Sequence, residues 1–322
     1  MAGKVHRLAA PGTAPRRVVA SPECVQHEGD PPPCDAPHRT PRASRQTFPA
    51  TALAAHAIPG AEETDVPGRV HTRLLHYAGA PVRVTVTFAE DQITVDLPDE
   101  IPDPAGLAVP IRRWLDLDSD TARIADALAT DPLIRPLVEH RPGIRLIGYP
   151  DEFEAIIATV VGQQVSLAAA RTFMGRLVIA YGTSAAGLRA LPAPRELAAI
   201  PDTELQTAVG LTRARTRTLR TVAQRWADGF TLAHLTTDEA RGALLELPGI
   251  GPWTADYLTV RALQHPDTFV PGDLVARRAL GSVTTDQARS IAERWAPWRS
   301  YALMHLWADA AYTPPGKKRT RA

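Results

Sequence analysis

Two short segments, residues 82–88 and 92–97, alternate almost strictly between apolar and polar side chains. This period of two is typical of strands that bury one face and expose the other. Residues 70–74 repeat the pattern less regularly, and short turns at Gly79 and at residues 90–91 separate the three segments. The pattern therefore predicts a three-stranded antiparallel meander with one apolar and one polar face.

Helical patterns surround this sheet. Residues 48–58 have an apolar helical period that ends at Pro59, and residues 110–117 predict a helix that covers the apolar face of the sheet. From residue 118 onward, helices follow one another, separated by capping residues, proline and glycine. The main predicted helical segments are 151–161, 166–181, 205–230 as a pair, 240–247, one opening at Pro252, and 274–280.

The first 46 residues are rich in Pro, Ala, Arg and His and have no hydrophobic period, so we predict that they are disordered. No strand is predicted before the first helix, which leaves the sheet with an exposed edge. The predicted organisation is α+β in four parts: a disordered segment 1–46, a small antiparallel sheet domain with flanking helices 47–117, an all-helical domain 118–312 and a basic tail 313–322.

Composition limits the classes of function. The 322 residues allow two domains, and 44% hydrophobic with 22% charged residues is typical of a globular protein. A formal net charge of +1 means that affinity for nucleic acid would depend on local patches. The two cysteines, Cys24 and Cys34, indicate neither a disulfide framework nor a zinc site. No membrane span or signal peptide is present in the pattern, so we expect a cytoplasmic protein with no membrane partner.

Residues 247–251, Leu-Pro-Gly-Ile-Gly, join two predicted helices. A capping box at Thr236 opens the first helix, Pro248 ends it, and Pro252 opens the second. Glycine backbone N–H groups and the positive N-terminal end of a helix favour an anion such as a nucleic-acid phosphate. An ordinary corner between two helices explains the same glycines, and the segment alone does not decide between these interpretations.

Asp273 follows a Val-Pro-Gly turn and precedes a predicted helix, so its carboxylate is an expected N-cap. The hairpin, a helix and this Pro-Gly-Asp turn together resemble the helix-hairpin-helix DNA glycosylases, whose catalytic Asp occupies the turn. Residues 161–170, 252–257 and 293–307 further resemble the DNA-3-methyladenine glycosylase II family of bacterial alkylation-repair enzymes. No cysteine cluster follows Asp273, which excludes the iron–sulfur loop of the endonuclease III and adenine-glycosylase branches.

The resemblance implies that Asp273 is catalytic, a role compatible with an N-cap. Cleavage of an N-glycosidic bond builds positive charge on the sugar, which a fixed carboxylate stabilises while it orients or deprotonates the attacking water. Trp253 occupies the position where bifunctional members carry a lysine nucleophile, which implies a glycosylase without lyase activity. Trp253, Tyr257 and Trp307 are implied to line a pocket that holds a flipped, cationic base. Packing of Trp253 onto the core is the alternative.

The residues expected to contact DNA are Leu247, Gly249, Ile250 and Gly251 of the hairpin, Gln164, and Arg277, which lies one turn beyond Asp273. Gln164 is the expected wedge in the space left by the flipped base, and a turn that caps the following helix is the alternative. Arginines within residues 213–220 are expected to form a solvated face, with a clamp on DNA as the alternative. No cofactor or catalytic metal is expected, although hairpin carbonyls such as those of Leu247 and Gly249 can hold a monovalent cation in this superfamily.

The sequence therefore predicts a small antiparallel sheet domain followed by an all-helical helix-hairpin-helix glycosylase domain. By resemblance, the function is excision of alkylated purines, 3-methyladenine and 7-methylguanine, in base excision repair. The protein is expected to act as a monomer on double-stranded DNA, by base flipping and hydrolysis. Two rivals stay open: a glycosylase for oxidised or deaminated bases, and a non-catalytic DNA-binding or regulatory module.

Overall fold

The computed structural model describes residues 16–20, 44–89, 93–98, 101 and 104–312. The strands are β1 Arg16–Ala20, β2 Glu62–Asp65, β3 Val70–Tyr77, β4 Ala80–Phe88, β5 Ile93–Leu97, β6 Thr183–Ala185 and β7 Leu188–Ala190. The helices are α1 Ser44–His56, α2 Pro104–Trp114, α3 Thr121–Leu128, α4 Arg135–His140, α5 Glu152–Gly162, α6 Leu167–Tyr181, α7 Pro194–Ala199, α8 Asp202–Val209, α9 Arg213–Ala227, α10 Thr237–Leu245, α11 Pro252–Arg261, α12 Leu274–Ala279, α13 Thr285–Ala292 and α14 Arg299–Tyr312. Both cysteines, the predicted turn at residues 90–91 and the basic tail lie outside the described residues.

A five-stranded antiparallel sheet with strand order β1-β5-β4-β3-β2 forms the N-terminal part. The predicted alternation is confirmed on β4, where Val84, Val86 and Phe88 are buried and the threonines between them are half-buried. β4 pairs with β5 so that Val86 lies opposite Val95, which places two buried valines side by side on the apolar face.

The prediction of a three-stranded sheet is wrong, because the sheet has two further strands at its edges. One of them lies within the segment that was predicted to be disordered. Arg16–Ala20 forms β1 and pairs with β5, with Val18 opposite Val95. Its sequence, RRVVA, has no alternation that would mark it as a strand. At the other edge, β2 has the acidic sequence EETD, which is unusual in a strand. Both strands form because a partner strand lies beside them, and that information is not local.

Residues 70–74 alternate poorly because the strand that they begin, β3, is buried on both faces. All five side chains from His71 to Leu75 are buried, so the expected polar face is wrong for this strand. Neighbouring residues point to opposite faces of a sheet. Leu74 packs against Leu188 of β7 on one face, whereas Leu75 joins the main core on the other. A strand covered on both faces loses the period-two signal.

The second helix begins earlier than predicted. α2 starts at Pro104, and Pro110, the predicted start, lies inside it. Leu107, Ile111 and Trp114 are at most 3% exposed and form one stripe of the helix. Packing of this stripe onto the sheet compensates for the backbone hydrogen bond that Pro110 cannot make.

The buried apolar side chains form two main clusters. One joins the sheet, α2–α4 and the C-terminal helices, and the other joins α5–α11 with Ile58 and Ala61. Because the first cluster includes residues on both sides of the predicted boundary at 117 and 118, that boundary stays a prediction. Within the described ranges, no helix has the length and apolar character needed to cross a bilayer.

A buried ion-pair network connects the sheet to α5. Arg73 of β3 pairs with Glu62 of β2 at 2.8 Å and with Glu154 of α5, and all three side chains are 7–8% exposed. The guanidinium also lies 5.2 Å from the ring centroid of Trp114. Burial raises the pKa of Glu62 to about 7; the Arg73 cation opposes this rise and the Glu154 charge adds to it.

Arg73→Met should lower the free energy of unfolding by about 3–5 kcal/mol at pH 8, because it leaves two buried carboxylates without a cation. The deficit should shrink at pH 5. Glu62 binds its proton more tightly in the folded chain than in the unfolded chain, so its contribution to stability is present below pH 4.5 and is lost as pH rises through 7. Urea unfolding at pH 5 and pH 8 measures both effects.

Arg83→Met on the adjacent strand is the matched control. Arg83 is 39% exposed and its ion pair with Glu63 spans 3.7 Å, so its loss should change the free energy of unfolding by at most about 1 kcal/mol. Equal destabilisation in the two variants would contradict a structural role specific to the buried network.

Candidate functional site

Residues 247–251 form the predicted hairpin between α10 and α11. Leu247 and Ile250 are 3% and 5% exposed, and the Ile250 N–H donates to the Leu247 carbonyl at 3.1 Å. Gly249 and Gly251 are exposed, and Gly251 is the N-cap of α11. The first N–H groups of a helix have no partner within it. The hairpin therefore buries its two aliphatic side chains and presents the backbone of both glycines at its surface, beside the positive end of α11.

Three elements meet at Gln163, the residue that follows α5. Its Nε2 donates to the Gly249 carbonyl at 2.9 Å and to Thr254 Oγ1 at 3.2 Å. Arg215 of α9 donates from Nη2 to the Gln163 carbonyl. Gln163 thus connects α5, α9 and the hairpin. Sequence reasoning did not single it out, because a contact between residues 163 and 249 produces no periodic signal.

Gln164 is exposed and has a φ of +54°, in the left-handed region that few residues other than glycine adopt. The expected alternative was that its side chain caps the next helix. The cap of α6 is instead Ser166, whose hydroxyl accepts from the Ala169 N–H at 3.2 Å. The Gln164 amide makes no hydrogen bond within the described ranges and is available to an external group.

Asp273 is the N-cap of α12, as expected, and it is 7% exposed. Its backbone N–H closes the preceding turn on the Val270 carbonyl at 3.0 Å. Oδ1 accepts from the Ala276 N–H at 2.8 Å and from Trp307 Nε1 at 2.9 Å. Oδ2 accepts no hydrogen bond from the described part of the chain. One carboxylate oxygen is therefore fixed, and the other is open to an external group.

Trp253, Tyr257 and Trp307 form a row of rings that reaches Asp273. The Trp253 and Tyr257 rings stack with centroids 5.2 Å apart and planes inclined by 17°. Tyr257 and Trp307 have centroids 5.7 Å apart and planes inclined by 49°. Trp253 is 38% exposed, so part of its ring is accessible to an external group while the rest packs on Tyr257. The row runs from the surface of the protein to the fixed carboxylate oxygen.

A cavity of about 190 Å³ adjoins the stacked pair of Trp253 and Tyr257. This volume is several times the roughly 30 Å³ that one water occupies in the liquid. His56 and Arg171 contribute to its wall. Burial lowers the pKa of His56 to about 3, and nearby arginines act in the same direction, so the imidazole is neutral at neutral pH. Neither Asp273 nor Trp307 lines this cavity, and neither lines the larger cavity of about 550 Å³ between the sheet and α5.

Arg277 is only partly available for the contact predicted for it. Its Nε donates to the Val283 carbonyl at 2.8 Å, and the side chain is half-buried. The two terminal nitrogens of the guanidinium make no hydrogen bond within the described ranges. A contact between Arg277 and DNA stays a prediction.

Two hairpin carbonyls predicted to hold a monovalent cation each accept one hydrogen bond. The Leu247 carbonyl accepts from Ile250, and the Gly249 carbonyl accepts from Gln163. A carbonyl oxygen has a second lone pair, so these contacts are compatible with a cation, which stays a prediction. Among the described residues, no group of three or more His, Cys, Asp and Glu side chains is arranged to hold a metal ion.

Two family profiles match consecutive parts of the chain. The AlkA N-terminal domain matches residues 38–151. The profile described as HhH-GPD superfamily base excision DNA repair protein matches residues 157–296, which include Gln164, the hairpin and Asp273.

Named relatives agree with these profiles. The chain is 37% identical over 282 residues to the probable bifunctional transcriptional activator/DNA repair enzyme AlkA of Mycobacterium tuberculosis, with 83% of this chain and 56% of that protein covered. It is 31% identical over 212 residues to the DNA-3-methyladenine glycosylase of Bacillus subtilis, with 61% and 70% covered. The chain thus spans little more than half the length of the mycobacterial relative.

Solved structures share the fold. The 3-methyladenine DNA-glycosylase of Archaeoglobus fulgidus superposes with a TM-score of 0.73 at 20% sequence identity. The superposition covers 86% of this chain and 97% of that one. The architecture is therefore shared over almost the whole archaeal protein.

Gly249→Ala should destabilise the protein more than Gly251→Ala does. At Gly249, φ is +81° and an added Cβ would lie 2.4 Å from Thr218 Oγ1; at Gly251, φ is −94° and no atom lies within 4 Å of an added Cβ. The expected loss for Gly249→Ala is about 1–3 kcal/mol. Gly251→Ala should change the free energy of unfolding by at most about 1 kcal/mol, because the less flexible unfolded chain stabilises the protein whereas alanine is a poorer N-cap of α11 than glycine. Urea unfolding of both variants tests the packing of the hairpin, and equal effects would contradict it.

Proposed function

The chain belongs to the HhH-GPD superfamily of base excision DNA repair proteins, in the family of DNA-3-methyladenine glycosylases, and we propose that it is a monofunctional glycosylase for alkylated purines. The proposed substrates are 3-methyladenine and 7-methylguanine in double-stranded DNA, and the protein acts on them as a monomer in the cytoplasm. One observation carries the proposal: Asp273 has one fixed and one open carboxylate oxygen, beside the aromatic row.

Hydrolysis needs little more than this carboxylate. The C1′–N bond breaks, its electron pair goes to the base, and a cationic alkylated purine leaves as a neutral molecule. Positive charge passes to the sugar, where the open oxygen of Asp273 stabilises it. Water then adds at C1′ and loses a proton, for which Asp273 is the acceptor. Since the alkyl group already makes the base a good leaving group, no second acid is required.

The aromatic row supplies the complementary binding energy. A base that leaves the duplex loses its stacking partners, and rings in the pocket replace them. A cationic base also gains cation–π attraction, which is strongest with an electron-rich indole. Trp307 contributes in two ways, because its ring belongs to the row while its N–H donates to Asp273.

The lysine content supports a monofunctional enzyme. A glycosylase that also cuts the strand forms a Schiff base between an amine and the sugar. The only lysines of the chain are Lys4, Lys317 and Lys318, far in sequence from the hairpin and from the Asp273 turn. Trp253 occupies the hairpin position at which bifunctional relatives carry the amine, and indole cannot form an imine.

The hairpin and Gln164 fit the task of holding distorted DNA. Exposed backbone N–H groups at the start of α11 suit a phosphate. Gln164, exposed on a turn fixed by Gln163 and Ser166, is the proposed wedge in the space left by the flipped base. Its amide can also form hydrogen bonds with the base that loses its partner.

Asp273→Asn should reduce base release by at least about 10²–10³-fold, because it removes the charge that stabilises the sugar cation. Asparagine is as good an N-cap as aspartate, so the variant should fold normally. The measurement is release of bases from methylated duplex DNA, with free bases separated from cut strands. The wild-type protein should release methylated purines without cutting strands.

Each alternative outcome of this experiment has its own meaning. Full activity in Asp273→Asn would overturn the catalytic role. Strand cutting by the wild-type protein would overturn the monofunctional assignment. Binding without base release would favour a regulatory module, a rival that the name of the bifunctional mycobacterial relative suggests.

Trp307→Phe keeps a ring but loses the hydrogen bond to Oδ1 of Asp273. Loss of a hydrogen bond to a charged group should slow base release by about 10–100-fold for every substrate. Trp307→Ala removes the ring as well, so it should slow release of cationic 3-methyladenine more than release of neutral hypoxanthine. Single-turnover rates on both bases test this prediction.

Trp298→Phe is the matched control. Trp298 lies in the same C-terminal segment but packs edge-on against Tyr301, outside the aromatic row. If Trp307→Ala slowed both substrates equally, the cation–π contribution would be rejected.

A further inference from the structure

Two arginines of α9 near the hairpin have neither a hydrogen bond nor an ion pair among the described residues. Arg215 donates to the backbone carbonyl that follows α5, and Arg220 pairs with Asp202 at 2.6 Å. Arg213 and Arg217 are exposed and make no hydrogen bond or ion pair with any described residue. They are four residues apart in a helix and so share one face.

α9 is in direct contact with the hairpin. An added Cβ at Gly249 would lie 2.4 Å from Thr218 Oγ1, so the two backbones approach closely here. A groove of about 580 Å³ lies at this contact, and both Arg217 and Gly249 line it. Arg220 and Asp202, the other charged residues of its wall, neutralise each other. Arg217 therefore gives the groove a net positive charge.

The N-terminal end of α9 adds to this positive potential. The N-cap of α9 is Thr212, which directly precedes Arg213. Arg215, in the first turn of the helix, donates to the carbonyl of Gln163. The helix dipole places partial positive charge at this end. The formal net charge of the chain is only +1, so this local concentration is not a consequence of a basic protein.

We propose that Arg217, with Arg213 one turn earlier, binds a backbone phosphate of DNA next to the phosphate that the hairpin holds. The inference rests on the proposed function in that its ligand is duplex DNA. A guanidinium matches the geometry of phosphate oxygens, and such contacts position a strand without reading its sequence. The face expected from the sequence to be merely solvated thus extends the DNA-binding surface along α9.

Salt dependence of binding tests this contact. The probe is a duplex that contains a tetrahydrofuran abasic analogue, which cannot be cleaved, and its affinity is measured by fluorescence anisotropy between about 50 and 200 mM KCl. Each phosphate contact contributes about 0.9 to the slope of log K against log salt concentration. Arg217→Gln should reduce the magnitude of the slope by this amount, and Arg217→Lys, which retains the charge, should restore most of it.

Arg225→Gln is the matched control on the same helix. Arg225 is also exposed, but it lies two turns further from the hairpin and packs over the Phe230 ring. For Arg225→Gln, the slope of log K against log salt concentration should equal that of the wild-type protein. Thermal unfolding should be the same for all variants, since neither side chain is buried.

Two results would overturn the proposal: an unchanged slope in Arg217→Gln, or an equal reduction in Arg225→Gln, which would indicate only a long-range effect of charge. Base release by the wild-type protein is measured separately. If the slope depends on Arg217 but no base is released, the phosphate contact stands and the glycosylase activity is rejected.

Discussion

The position of α5 is the constraint on which the site depends. At its start, Glu154 is held to the sheet by the buried Arg73, and at its end, Gln163 is held to the hairpin carbonyl of Gly249. α5 has 11 residues, eight of which are buried, and the step of nine residues from Glu154 to Gln163 spans about 14 Å. Because a buried helix of fixed length connects the two anchors, the small sheet helps to set where the exposed Gln164 lies relative to the hairpin.

The second constraint is that the two oxygens of the Asp273 carboxylate have different surroundings. A catalytic anion must be held rigidly, yet every hydrogen bond to it reduces its capacity to stabilise another charge. At Asp273, both donors converge on Oδ1, and Oδ2 is left open. The N-cap and the proposed catalytic role therefore do not compete, since they use different oxygens of the same group. The Trp307 N–H adds a link from this group to the aromatic row.

Local signals in the sequence were sufficient for part of this structure. Alternation predicted β4, and capping residues such as Ser166 and Thr236 predicted helix starts, because these signals act within a few residues. β1 depends on a partner strand, and β3 is buried on both faces, so neither produces an alternating pattern. At the site, resemblance predicted the residues now found together, Asp273 with Trp307 and Tyr257. The resemblance did not identify Gln163, because the structural role of this residue depends on a contact with the hairpin, which is distant in sequence.

Arginine strongly outnumbers lysine in this chain. All but three of the 36 basic residues are arginines, and the lysines lie near the two ends of the chain. Base excision exposes an aldehyde at the abasic site, and an amine near it would form an imine and start strand cleavage. A guanidinium is protonated at any physiological pH and forms no such adduct, yet it binds phosphate through two parallel hydrogen bonds. In the proposed reaction, DNA contacts made by arginine would therefore leave the abasic strand intact.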